Sequence, residues 1–274
     1  MLLASASTLP SLAATIVDAP ILRTRGEGGA NFATLQRFNE LQMIRDEISV
    51  AGFALVPSLV DSAELVRLIA ATELAVRHPL VRARRGSAFG LRNLFETMPA
   101  ARDLAGSAKL LDLVKLILGP GARPVKGILF DKTEHANWAV PWHQDVTIAV
   151  REHRLVPGYE SWSEKDGIPH VQPPVEILEQ ILAVRIHLDD CPSENGALKI
   201  IPGSHAHGRL TDTEMEHWKS TVTPVTCAAH AGDVLFLRPL LLHSSGTALT
   251  PGHRRVLHFE YAAVDLPGGL EWAV

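Results

Sequence analysis

The second half of the chain is a succession of short apolar or alternating segments separated by turn residues. No other feature constrains the fold as strongly. Turns such as Pro192-Ser-Glu-Asn-Gly196 and Pro202-Gly-Ser204 lie between the segments. The segments are residues 125–130, 181–188, 197–201, 233–237 and 256–261. Several short strands with turn signals between them indicate a β-sandwich or a β-barrel.

The first half of the chain predicts helices. Leucine and isoleucine recur at helical spacing through residues 35–48. Asp61 and Glu64 form the D-x-x-E pattern of a capping box ahead of a second apolar stripe. A third helix is expected from Ser107 to Gly119, where a Gly-Pro-Gly turn stops it. We interpret these helices as scaffold around the β core and assign them no chemistry.

Charge and composition exclude several classes of function. The formal net charge is −4, with no excess of Lys and Arg, which argues against a general nucleic-acid binder. No apolar run approaches the roughly 20 residues of a membrane helix. The two cysteines, Cys191 and Cys227, are too few for a disulfide framework and form no C-x-x-C pair for zinc. The 13 histidines point instead to imidazole and carboxylate chemistry.

Two segments fall outside the regular pattern. Residues 1–30 are predicted to be a flexible N-terminal leader, and residues 31–274 a single domain. No basic residue precedes Arg23, so the leader lacks the positive start of a secretory signal, and a cytoplasmic protein is expected. Residues 151–179 are polar, rich in Pro and Gly, and longer than an ordinary loop. We expect them to form a lid or specificity element.

His143 and Asp145 lie two residues apart in Trp142-His-Gln-Asp145. In a strand, such residues point to the same face, so an imidazole and a carboxylate would project side by side. They would supply two of the three ligands of a facial metal triad. The alternative is a hydrogen-bonded His–Asp pair at a strand edge. On this tripeptide alone, that alternative is favoured.

His243 and Arg254 follow much later in the chain. His243 comes just after the apolar segment 233–237, where it is placed to face a barrel interior. Alternation along the next strand puts Arg254 and Arg255 on different faces. At the inner mouth of a barrel, the planar fork of Arg254 is suited to binding a carboxylate through two hydrogen bonds. We interpret Arg255 as part of a solvated edge.

The order of H-x-D, a distant histidine and then an arginine resembles the Fe(II)/2-oxoglutarate-dependent oxygenases. Short sequence motifs narrow this resemblance to the phytanoyl-CoA dioxygenase family, over residues 53–263. The motifs are Phe130-Asp-Lys, Asn137-Trp, Trp142-His-Gln-Asp, Leu188-Asp-Asp, Asn195-Gly, Pro202-Gly-Ser-His205 and Ala231-Gly-Asp233. The resemblance implies a mainly β fold with flanking helices around a double-stranded β-helix (jelly-roll, cupin-like) core.

The resemblance also implies the cofactors and the site residues. His143, Asp145 and His243 match the ligands of Fe(II), and Arg254 matches the anchor of the distal carboxylate of 2-oxoglutarate. The remaining cosubstrate-pocket positions match Ser245, Lys132 and Trp138. Halogenating relatives have a small residue in place of the carboxylate ligand, so the aspartate here favours oxygenation. The implied reaction consumes O2 and 2-oxoglutarate, releases succinate and CO2, and hydroxylates a small-molecule substrate.

The other histidines receive weaker interpretations. His170 lies in the 151–179 segment and is our candidate for a substrate contact, although histidines in loops are usually just exposed. We interpret His205, His187 and His258 as packing or pocket residues.

Two alternative functions stay open on the sequence. The first is a cupin-like metalloenzyme of other chemistry, which would have no use for a dicarboxylate anchor such as Arg254. The second is a non-catalytic jelly-roll protein that binds a metal or ligand. Nothing in the sequence indicates the oligomeric state.

Overall fold

The structure is a computed structural model that describes residues 30–77, 90–250 and 252–274, with side chains from Asn39 onward. Nearly all of the predicted leader, residues 1–30, lies outside the described residues. Residues Asn39–Val274 form one compact unit. The predicted domain boundary after residue 30 stays a prediction.

The described residues form seven α-helices, one short 3-10 helix (Ser204–His207) and 13 strands, and the β-rich second half agrees with the sequence pattern. The helices are α1 (Ala30–Val50), α2 (Ser62–Ala75), α3 (Leu94–Thr97), α4 (Pro99–Ala105), α5 (Ala108–Leu118), α6 (Val175–Leu178) and α7 (Asp212–Thr221). The strands are β1 (Phe53–Val56), β2 (Gly90–Leu91), β3 (Arg123–Lys132), β4 (Val140–His143), β5 (Ile148–Ala149), β6 (Glu160–Lys165), β7 (Ile168–Gln172), β8 (Ile181–His187), β9 (Leu198–Ile200), β10 (Val225–Cys227), β11 (Val234–Leu237), β12 (His243–Ser245) and β13 (Arg254–Ala262).

Two antiparallel sheets form the core. The six-stranded sheet has the order β1-β11-β8-β13-β3-β2, and the four-stranded sheet has the order β10-β9-β12-β4. Neighbours in these sheets are far apart in sequence, as a jelly-roll requires. A cavity lined by residues of β3, β8 and β13 on one side and of β4, β9 and β12 on the other lies between the sheets.

Strand β13 divides its side chains between the cavity and the helices. Leu257, Phe259 and Tyr261 belong to the main apolar core, together with residues of α3, α4 and α5. The rings of Phe259 and Phe95 lie 5.3 Å apart, and the Tyr261 hydroxyl donates to the Ala105 carbonyl oxygen at 2.9 Å. The alternate residues of β13 face the cavity, so the strand carries polar groups into the protein.

The start of α2 agrees in part with the capping box that the sequence predicts. Asp61 caps α2 by accepting a hydrogen bond from the Glu64 amide at 2.9 Å. The expected return bond from the Glu64 carboxylate is replaced by an ion pair with Lys109. A distant residue has therefore displaced a local contact.

The 151–179 segment is not the plain loop that its composition suggested. It contains β6, β7 and α6, and β6 and β7 complete a three-stranded sheet with β5 in the order β5-β7-β6. Tyr159, Val171 and Leu178 are buried in an apolar cluster that includes Trp272. The segment is thereby tied to the body of the Asn39–Val274 unit.

Candidate metal centre

His143 and His243 face each other across neighbouring strands. His143 ends β4, His243 begins β12, and the two are direct register partners, with ring centroids 4.2 Å apart. Asp145 follows two residues after His143, and its amide donates to the Pro239 carbonyl oxygen at 2.9 Å. Strand pairing thus brings the distant His243 to the His143–Asp145 pair.

The three side chains converge on one point. Asp145 Oδ1 lies 3.7 Å from His143 Nε2, and Asp145 Oδ2 lies 3.7 Å from His243 Nε2. Within the part of the chain that the structure describes, this is the one group of His, Cys, Asp or Glu able to hold a metal, with ligand atoms within 4.8 Å of one another. Two imidazoles and one carboxylate form the facial donor set typical of non-haem Fe(II) sites.

The outer nitrogen of each histidine is fixed by the backbone. His143 Nδ1 contacts the Pro141 carbonyl oxygen at 2.8 Å, and His243 Nδ1 contacts the Leu241 carbonyl oxygen at 2.7 Å. Because a carbonyl only accepts, both Nδ1 atoms carry the proton. Each Nε2 lone pair is therefore available to a metal, in the orientation that metal-binding histidines usually have.

The protonation states also suit a metal. Burial lowers the pKa of His243 to about 4, so its imidazole is neutral at pH 7. Burial alone would raise the pKa of Asp145, but the neighbouring His243, His258 and His143 hold it below its usual range. A neutral imidazole and an ionised carboxylate are the forms that coordinate metals. The residues present therefore fit a bound Fe(II).

All four predicted cosubstrate residues line the same cavity as the triad. This metal cavity has a volume of about 220 Å³, and Lys132, Trp138, Ser245 and Arg254 contribute to its wall. Lys132 Nζ donates to Ser245 Oγ at 3.3 Å and lies 5.4 Å from the centre of the Trp138 ring. Burial and the nearby Arg254 lower the pKa of Lys132 to about 8.

Arg254 and Arg255 point to different faces, as alternation predicted. Arg254 is buried, and its Nη1 donates to the Gly196 carbonyl oxygen at 2.6 Å. Its buried Nε has no hydrogen-bond partner among the described residues. Arg255 does not lie on a solvated edge: it binds both carboxylate oxygens of Asp189, at 2.9 and 2.7 Å.

His170 does not reach the metal cavity. It lies on β7, is 1% exposed, and its Nδ1 contacts the Ile168 carbonyl oxygen at 3.0 Å. It lines a neighbouring cavity of about 460 Å³, which we call the outer cavity. Lys126 and Ile128 belong to the walls of both cavities, so the two adjoin.

The sequence did not predict the row of interacting polar side chains that lies along the metal cavity. Lys126 Nζ donates to Glu260 at 2.7 Å, and His258 Nε2 lies 3.4 Å from the same carboxylate oxygen. Arg185 Nη1 lies 3.3 Å from His258 Nδ1. A signal for Arg185 was present, since a charged residue within the apolar segment 181–188 is unusual in a buried strand.

Ser204, within the Pro-Gly-Ser-His motif, supports the strand that carries His243. Its hydroxyl donates to the Ile201 carbonyl oxygen and accepts from the Leu242 amide, both at 2.8 Å. His205 lines a separate cavity beside Arg238. The serine of the motif therefore holds the residue that precedes His243.

A model of the family described as phytanoyl-CoA dioxygenase (PhyH) matches residues 48–256. The chain belongs to the phytanoyl-CoA dioxygenase family. The ectoine dioxygenase of Bordetella parapertussis is 22% identical over an alignment of 245 residues, gaps included, that covers 78% of this chain and 72% of that protein.

Two solved structures share the fold of this phytanoyl-CoA dioxygenase family member. EctD from S. alaskensis, solved with 2-oxoglutarate and 5-hydroxyectoine, is 18% identical with a TM-score of 0.62, over 90% of this chain and 82% of that one. The epimerase SnoN from nogalamycin biosynthesis, in complex with Fe3+ and α-ketoglutarate, is 20% identical with a TM-score of 0.62, over 84% of this chain and 91% of that one.

Membership of the phytanoyl-CoA dioxygenase family confirms the predicted fold and enzyme class. The core is a jelly-roll, and the chain is a non-haem iron dioxygenase that depends on 2-oxoglutarate and O2. The two alternative functions are correspondingly disfavoured. Within the described ranges, no helix is long and apolar enough to cross a membrane.

Proposed function

We propose that the chain hydroxylates a small-molecule substrate, with His143, Asp145 and His243 as its iron ligands. The observation that carries this proposal is the convergence of the three ligand atoms within 4.8 Å in a cavity that Arg254 also lines. When bound together with 2-oxoglutarate and O2, the iron supplies the oxidising power, and the products are succinate, CO2 and a hydroxylated substrate. The protein's own task is to hold and orient the reactants.

Arg254 binds the distal carboxylate of 2-oxoglutarate in this proposal. Its buried Nε lacks a partner among the residues described, and an unpaired buried donor is costly until a ligand fills it. Lys132 on the neighbouring strand and Ser245 on the opposite sheet line the same cavity, and the Trp138 ring covers the Lys132 ammonium. Two cations and a hydroxyl suit one end of a dicarboxylate.

The outer cavity holds the substrate in this proposal. Its volume of about 460 Å³ is within the range of small-molecule sites, and it adjoins the metal cavity at Lys126 and Ile128. The 151–179 segment contributes His170 to its wall, which keeps that residue as the candidate substrate contact. Ectoine, after which the Bordetella parapertussis relative is named, is an example of a compact substrate. A cytoplasmic location and a lack of nucleic-acid or membrane partners stay predictions.

An anaerobic titration tests the assignment of the iron and cosubstrate residues. Fe(II) and then 2-oxoglutarate are added to metal-free protein, and the visible charge-transfer absorption of a chelated 2-oxo acid is recorded. We expect the band in the wild type, its loss in His243→Ala, and weaker 2-oxoglutarate binding in Arg254→Ala. Arg238→Ala serves as a control, because Arg238 lines a different cavity. A folded wild-type protein without the band would overturn the proposal.

A further inference from the structure

Arg185 is a charged residue in the centre of the six-stranded sheet. It lies on β8, directly across from His258 on β13, and it lines the metal cavity with the triad and Arg254. Its buried Nε has no hydrogen-bond partner within the described part of the chain. Burying a guanidinium is expensive unless a partner compensates for its lost hydration. Arg185 therefore requires an explanation.

Two neighbours hold the guanidinium of Arg185 in place. Nη1 donates to His258 Nδ1 at 3.3 Å, and the Cζ atom lies 5.6 Å from the centre of the Phe130 ring. The Phe130 and His258 rings pack edge to face, with centroids 5.7 Å apart. These contacts orient the side chain without neutralising its charge, because neither neighbour is a carboxylate.

Some cationic side chains of the cavity wall have no partner of opposite charge within the described ranges. Lys126 and Glu260 form an ion pair with each other, and the Asp145 carboxylate faces the two triad histidines. Those are the wall's two carboxylates. Three cations remain, namely Lys132, Arg185 and Arg254, and no carboxylate of the described residues forms an ion pair with them.

Arg185 lines the same cavity as Arg254 and the metal triad. Burial and then the charge of Arg254 lower the pKa of Arg185 to about 10, while the charge of Asp145 acts in the opposite direction. The cavity has a volume of about 220 Å³, and Arg185, Arg254 and the triad all line it. A molecule bound between the triad and Arg254 would share this small space with Arg185.

We propose that Arg185 is a second guanidinium that binds the 2-oxoglutarate dianion together with Arg254. This inference rests on the proposed function, because it takes the metal cavity as the cosubstrate site. The dianion would supply the negative charge that the three cations lack, and it would give the Arg185 Nε an acceptor. Without the ligand, the same cations repel one another.

This assignment predicts opposite effects on ligand binding and on the stability of the ligand-free protein. Replacing Arg185 by Gln should weaken 2-oxoglutarate binding about tenfold or more, since a hydrogen bond to a charged group is lost. The unfolding midpoint of the ligand-free protein should stay unchanged or rise, because a repulsive buried charge is removed. A purely structural role would lower the midpoint and leave the affinity unchanged.

The anaerobic charge-transfer titration measures the affinity for 2-oxoglutarate, and calorimetry of glutarate binding to the metal-free protein measures dicarboxylate binding without iron. Arg185→Gln is compared with Arg185→Lys, which keeps the charge but lacks the fork and should recover part of the affinity. Arg238→Gln is the control. If Arg185→Gln does not fold, Arg185→Lys provides the test, and its affinity for 2-oxoglutarate should be several-fold lower than that of the wild type.

The outcomes separate this inference from the proposed function. No charge-transfer band in the wild type would overturn both. A normal wild-type band with 2-oxoglutarate and glutarate affinities in Arg185→Gln within twofold of the wild type would overturn the role of Arg185 alone. Weaker binding of both ligands, with partial recovery in Arg185→Lys and no loss of stability, would support it.

Discussion

The guanidinium of Arg254 donates from Nη1 to the backbone carbonyl oxygen of Gly196 at 2.6 Å. Gly196 has a φ of +72°, and a Cβ added there would lie 2.7 Å from the Gly246 carbonyl oxygen and 3.3 Å from Lys132 Nζ. One glycine of the Asn-Gly motif thus lies against two of the cations assigned to the cosubstrate. The absence of a side chain at this position leaves room for the Lys132 ammonium, which a Cβ would approach to 3.3 Å.

We therefore predict that Gly196→Ala weakens 2-oxoglutarate binding about tenfold and leaves Fe(II) binding close to the wild-type level. The added methyl group must displace Gly246 or Lys132, whereas the triad is held by other contacts. Isothermal titration with Fe(II) and then 2-oxoglutarate measures both affinities. Gly119→Ala is a matched control, because Gly119 also has a positive φ but a Cβ there meets nothing within 4 Å. Equal 2-oxoglutarate affinities in Gly196→Ala and the wild type would contradict the prediction.

The second prediction concerns Ser204, which supports the strand that carries His243. Ser204→Ala leaves the Leu242 amide and the Ile201 carbonyl oxygen without their hydroxyl partner in a fully buried position. We expect a loss of about 1–3 kcal/mol in the free energy of unfolding. Faster loss of Fe(II) to a chelator should accompany it, since Leu242 adjoins His243. Ser220→Ala, at an exposed helical position, should change neither quantity.

The metal triad could be predicted from the sequence because its geometry follows from strand alternation. His143 and Asp145 required only an extended backbone to share a face, and Arg254 and Arg255 required only the next strand to separate them. The direct pairing of His143 with His243 could not be derived in this way. It depends on the order of strands in the four-stranded sheet, which local sequence does not encode.

Tertiary contacts account for the features that the sequence analysis missed. The 151–179 segment was expected to be a loop because Pro and Gly interrupt it, yet β7 pairs with β5 and acquires partners that composition does not reveal. Arg185 was overlooked because its apolar strand predicted burial. Arg185 lines a cavity between two sheets, and this cavity exists only once strands of both sheets are assembled.

Lys132 predicts a pH dependence of cosubstrate binding. Its pKa is lowered to about 8, so the free protein loses this positive charge as the pH rises through 8. A bound dianion favours the charged form, and the affinity for 2-oxoglutarate should therefore fall above pH 8. Anaerobic titrations from below to above pH 8 measure this. Lys132→Met should bind more weakly at low pH and show a flatter profile. A wild-type affinity that stays constant above pH 8 would contradict the assignment.

The buried His170 predicts how the free energy of unfolding depends on pH. Burial lowers the pKa of His170 from its ordinary 6.5 to about 4. Between these values the unfolded chain binds a proton that the folded protein does not, so unfolding takes up a proton and stability falls as the pH decreases from 6.5 towards 4. From pH 7 to pH 5 this single residue should account for about 2 kcal/mol.

Denaturant unfolding of metal-free protein at pH 7 and pH 5 tests the contribution of His170. His170→Asn keeps a side-chain donor for the Ile168 carbonyl oxygen but cannot be protonated, so it should lose less stability over this interval than the wild type. The exposed His217 supplies the control His217→Asn, which should follow the wild type. Identical pH dependence in His170→Asn and the wild type would mean that the buried imidazole takes up a proton over the same pH range as in the unfolded chain. The outer cavity would then accommodate a charged His170, which would contradict the prediction.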